Sequence, residues 1–144
     1  KHLAIVGYSH DDNQPANYIL KRMREKAYTT YLLNPNPKGF PEGVKVHAQV
    51  SELPDAVCGA VLCTPPAQTM RALEALSAKG ITKAWIHKTI GPGSFVEEAQ
   101  RFAQKHGMML IPDGCPMMFV EPDFFQNCLK TCLNWFGRLR VEHA

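Results

Sequence analysis

The feature that most constrains this chain is the run Leu3-Ala4-Ile5-Val6 leading straight into Gly7, Tyr8, Ser9, His10, Asp11, Asp12 and Asn13. Four successive apolar residues fit a strand buried on both faces, which is the condition of strands in a parallel sheet. A glycine and small polar residues then lead to a proline-led helical pattern. That layout is a βα turn in which free backbone N–H groups and the helix dipole favour a negative ligand.

The alternation continues along the chain. Tyr28–Leu33 reads as a second strand, stopped by Asn34-Pro35-Asn36-Pro37-Lys38-Gly39, a loop composition. Residues 44–50 read as a weak short strand or extended segment, Gly59–Cys63 as a third buried strand, Lys83–His87 as a fourth and Met108–Ile111 as a fifth. Helical patterns lie between them: one from Pro15, with Asp12 or Asn13 as cap and Ile19, Leu20 and Met23 inward; one from Thr64 as cap to about Lys79, stopped by Gly80; and one opened by a Ser94/Glu97 capping box and ended by Gly107. A last helix, 121–139, collects Phe124, Phe125, Cys128, Leu129, Cys132, Leu133, Phe136 and Leu139 on one broad face. It either completes the core or makes a symmetric dimer contact.

Strands alternating with helices predict an α/β Rossmann-like, doubly wound parallel sheet of about five strands, with helices on both faces and an extra C-terminal helix. At 144 residues the chain is expected to be a single domain, its core about 2–120 and its helical extension about 121–139. Ligands of such sheets sit beyond the carboxyl ends of the strands. The segments 8–14, 34–39, 64–66 and 87–94 fall on that edge.

Charge narrows the ligand. A formal net charge of +3 without a basic run falls short of a nucleic-acid footprint and suits an anionic small molecule. No apolar run has the length of a membrane span. Five cysteines with no Cys-x-x-Cys pair and no signal peptide predict reduced thiols in a cytoplasmic protein. A nicotinamide site would show Gly-x-Gly-x-x-Gly and an acid at the end of the second strand. Here Gly7 stands alone and Lys38 replaces the acid, which favours an extra phosphate on an adenosine ribose, as in coenzyme A or NADP. The missing glycines argue against NADP, so an NADP-binding reductase-like fragment stays as the alternative.

Taken together, Val6-Gly7-Tyr8-Ser9 with Asn13, Asn34-Pro35, Thr64-Pro65-Pro66 and Asp113-Gly114-Cys115-Pro116 resemble the small stand-alone CoA-binding proteins. These are similar to the N-terminal domain of the succinyl-CoA synthetase alpha subunit. The resemblance implies non-covalent binding of coenzyme A or acyl-CoA. Gly7, Tyr8, Ser9 and Asn13 would surround the pyrophosphate. Asn34, Pro35 and Lys38 would lie by the adenosine and its 3′-phosphate, and Thr64, Pro65 and Pro66 would wall the adenine or pantetheine arm. Many members carry an arginine near position 14, where this chain has Gln14-Pro15.

Catalysis has weaker support. Related ligases work through a phosphohistidine and an ATP-grasp partner outside this domain. His10 is an exposed loop histidine or a donor to phosphate. From the sequence, no paired carboxylate or nucleophile can be placed against His87 and Lys88, and Cys115 is a buried thiol or one that forms a mixed disulfide with CoA. No histidine and cysteine spacing resembles a metal site. The chain thus reads as a binding protein with no evident chemistry, with a partner-binding module around a vestigial nucleotide site as a further alternative.

Overall fold

The computed structural model describes residues 1–11, 13–40, 45–88, 94 and 96–112. The expected final helix, its dimer contact and the 113–116 motif lie outside these residues, as do Asp12 and Cys115.

Six parallel strands form one sheet: β1 (His2–Val6), β2 (Thr29–Leu33), β3 (Val46–His47), β4 (Gly59–Leu62), β5 (Lys83–Ile86) and β6 (Met109–Ile111), in the order β3-β2-β1-β4-β5-β6. The weak segment at 44–50 supplies the sixth strand, two residues long, followed by a 3₁₀ turn at Val50–Glu52. Among the described residues, three helices connect the strands: α1 (Pro15–Glu25), α2 (Pro66–Ala78) and α3 (Glu97–Lys105).

Period-two alternation divides the core. Ala4, Val6, Leu33, Ala60, Leu62, Ala84, Ile86 and Leu110 face Leu73, Leu76, Ala99 and Ala103 of α2 and α3. Leu3, Ile5, Leu32, Val61, Trp85 and Ile111 share the opposite face with Ala16, Ile19, Leu20 and Met23 of α1. Burial on both faces explains why β1 and β4 read as unbroken apolar runs.

These three helices end in the same way. The N–H of Tyr28, Ile81 and Met108 reaches back to the carbonyl of Met23, Leu76 and Ala103, across a residue of positive φ: Ala27 (φ 59°), Gly80 (82°) and Gly107 (63°). This double closure satisfies the last carbonyls. Two of these stops were signalled by glycine; Ala27 carries no such signal.

The helix starts correct three expectations. Asn13 is not the cap of α1: Gln14 is, without a side-chain bond, and the Asn13 N–H donates to Asp11 Oδ1 at 2.9 Å. Thr64 does not cap α2: Pro65 holds that position, and the Thr64 hydroxyl pairs with that of Thr69 at 3.1 Å. Ser94 and Glu97 make no capping box, because α3 begins at Glu97 behind Val96, and Ser94 is buried. In each case the polar group is engaged elsewhere: the Asn13 N–H with Asp11 in the turn before α1, the Thr64 hydroxyl with Thr69 inside α2, and the Ser94 N–H with the His87 carbonyl.

Candidate functional site

In a sheet of this order the chain leaves β1 toward β2 and later crosses back to β4, so a crevice opens between the carboxyl ends of β1 and β4. Gly7 stands at that point. Its φ is +93°, and a Cβ there would lie 2.7 Å from the Cys63 carbonyl oxygen and 3.2 Å from the Thr64 nitrogen. The absent side chain lets the turn after β1 touch the exit of β4.

The same turn is fastened to the exit of β2. The Gly7 and Tyr8 N–H groups both donate to the Leu33 carbonyl at 3.0 Å, and the Asn34 amide donates to the Tyr8 carbonyl at 2.7 Å. Asn34 Oδ1 also accepts the Asn36 N–H at 2.7 Å, so this side chain braces two loops. From α1, the Asn17 amide supports the turn by donating to the Ser9 carbonyl at 3.0 Å. Three stretches distant in sequence therefore meet: Gly7–Asn13, Asn34–Phe40 and Cys63–Pro66.

The geometry distributes the expected site residues between scaffold and surface. Gly7, Tyr8 and Asn34 spend the groups just described on the frame. The Ser9 hydroxyl accepts the Asp11 N–H at 3.1 Å. Thr64 is buried and turned toward Thr69, whose hydroxyl also donates to the Ser94 carbonyl at 2.5 Å. Pro65 is exposed and Pro66 half-buried, so this pair presents the apolar wall at the start of α2. Asn13, Pro35 and Lys38 are exposed on their turns.

Several features suit an anion. The chain enters α1 and α2 at this edge, directing two positive helix ends toward it. The backbone N–H groups of His10 and Ala16 make no hydrogen bond among the described residues. The Lys38 ammonium makes no ion pair among them either. Asp11 is held below the usual carboxylate range by the Asn13 N–H and then by the Gln14 side-chain amide, so its charge is spent within its own turn.

Phe40 is the residue that sequence reasoning missed. Its ring stacks on His10, with centroids 3.8 Å apart and planes 12° apart, and on Tyr8 at 5.1 Å and 27°. An aromatic just past a proline- and glycine-rich loop was the available signal. Its partners lie some thirty positions earlier.

At the exit of β5, the His87 N–H donates to the Leu62 carbonyl and its own carbonyl accepts the Ser94 N–H, both at 2.9 Å. The imidazole is buried, and desolvation holds its pKa below the ordinary value, which favours the neutral ring.

Among the described residues, no three His, Cys, Asp or Glu side chains form a group able to hold a metal, and no helix is long and apolar enough to cross a membrane. A groove lined by Gln49, Val50, Ser51, Ala75, Ala78 and Lys79 lies at the far end of α2. It is remote from the carboxyl edge, and its one cation pairs with Asp55 at 2.8 Å.

Comparison with known proteins agrees with this geometry. No curated protein matches the chain. Among solved structures, a conserved hypothetical protein from Pyrococcus furiosus is 30% identical with a TM-score of 0.71, the match covering 83% of this chain and 99% of that one. A hypothetical protein from Pyrococcus horikoshii is 27% identical with the same TM-score, covering 81% and 78%. The dinucleotide-forming acetyl-coenzyme A synthetase 1 of Ca. Korarchaeum cryptofilum is 25% identical with a TM-score of 0.62, covering 76% of this chain but 25% of the synthetase. Residues 1–121 match the CoA binding domain over most of the chain's length, and the protein belongs to that family.

Proposed function

We propose that this domain binds coenzyme A or acyl-CoA non-covalently at the carboxyl edge of its sheet, with no chemistry of its own. One observation carries the reading: the Lys38 ammonium, which makes no ion pair among the described residues, stands on a turn braced directly against the turn after β1. An ADP-like moiety laid across these turns would meet helix ends and unbonded amides at its pyrophosphate, and a cation at its ribose phosphate. Pro65 and Pro66 would flank the pantetheine or adenine. Family membership supports the same ligand. Cys58 is a free thiol, which fits a reducing, cytoplasmic setting.

The test is calorimetric titration of the wild type and Lys38→Ala with CoA and dephospho-CoA, which differ in the 3′-phosphate alone. Loss of a charge-assisted contact on an exposed turn is expected to weaken CoA about tenfold and leave dephospho-CoA unchanged. Equal losses for both ligands would remove Lys38 from the site. Absence of binding by the wild type would remove the ligand.

A further inference from the structure

His10 is exposed, yet its ring is held in place. One face lies against Phe40 at 3.8 Å, and Phe40 in turn meets Tyr8. Gly39, at φ +88°, lies beside it: a Cβ there would stand at ordinary contact distance, 3.4 Å from His10 Cε1 and 4.0 Å from Nδ1. The imidazole thus joins the turn after β1 to the Gly39–Phe40 end of the turn that carries Lys38. Neither the imidazole nor the His10 backbone N–H makes a hydrogen bond among the described residues. The nearest carboxylate in sequence, Asp11, is already engaged by Asn13 and Gln14.

We infer that His10 is a second donor to the phosphomonoester of the bound ligand, acting beside Lys38, with Phe40 as its positioning residue. The inference rests on the CoA reading above. A phosphomonoester presents three acceptor oxygens, more than one cation satisfies. Lysine is a point charge on a flexible stem, whereas an imidazole N–H is directional and useful only when its ring is fixed. Stacking on Phe40 fixes it. Together the two side chains distinguish a 3′-phosphorylated nucleotide from one that lacks this group.

The experiment compares CoA and dephospho-CoA affinities in the wild type, His10→Phe and Phe40→Leu, with melting temperatures as the check on folding. His10→Phe keeps a flat ring for the stack and removes both ring nitrogens. It is expected to lower the preference for CoA about tenfold, wholly through weaker CoA binding. Phe40→Leu is expected to lower that preference by a smaller factor, since the donor remains but is no longer held. An unchanged preference in His10→Phe, or equal weakening of both ligands, would overturn the inference. Equal affinities in the wild type would overturn both phosphate contacts while CoA binding stood. No CoA binding by the wild type would overturn the ligand reading and this inference with it.

Discussion

Gly7→Ala tests the close approach on which the crevice depends. Two costs arise at this position. Alanine at φ +93° carries the left-handed penalty, about 1–2 kcal/mol, offset in part by about 0.4–1 kcal/mol from a stiffer unfolded chain. The new Cβ would also stand 2.7 Å from the Cys63 carbonyl oxygen, a backbone atom on a central strand exit that no rotamer can move aside. Forcing the two strands apart is an overpacking cost of about 1–3 kcal/mol. Gly80→Ala isolates the first cost, because φ there is +82° and nothing lies within 4 Å of the added atom. We expect Gly80→Ala to destabilise by about 1 kcal/mol and Gly7→Ala by about 3 kcal/mol. For a domain of this size the melting temperature would fall by roughly 3–4 °C and 10 °C respectively. Thermal unfolding followed by circular dichroism measures both. Equal shifts for the two variants would refute the contact between the β1 turn and the β4 exit.

Three further outcomes follow from the same geometry. Ala27→Gly should raise stability by about 0.5–1 kcal/mol in urea unfolding, since Ala27 closes α1 at φ 59°. Thr69→Val should lower it by about 1–3 kcal/mol, with the urea m-value unchanged, because the Thr64 hydroxyl and the Ser94 carbonyl lose their buried partner. Because burial lowers the His87 pKa, the folded protein takes up fewer protons than the unfolded chain below about pH 6.5. Its contribution to stability is therefore present at neutral pH and lost on acidification, and His87→Gln should flatten the fall in unfolding free energy between about pH 7 and pH 5.

What was legible in the sequence followed from burial. Strands enclosed on both faces must be continuously apolar, so β1 and β4 were readable to within a residue, and the order of strands and helices then led to the sheet and its carboxyl edge. The helix starts were less legible. Asn13, Thr64 and Ser94 have the chemistry of caps, but the same groups can bond other partners nearby, and local sequence does not decide between the two uses. The site divided along similar lines. Lys38 stands exposed on its turn, as its position implied, whereas the bracing by Asn34 and the stacking on Phe40 join segments some thirty residues apart. Such contacts exist only once β1 and β2 lie side by side.

The most direct test of the central claim is a thermal-shift titration of the purified protein with CoA, acetyl-CoA, NADP and NAD. Binding to the native state must raise the melting temperature by mass action. The account predicts a concentration-dependent rise with CoA and acetyl-CoA and none with NAD or NADP. A rise with NADP alone, or with none of the four, would contradict it.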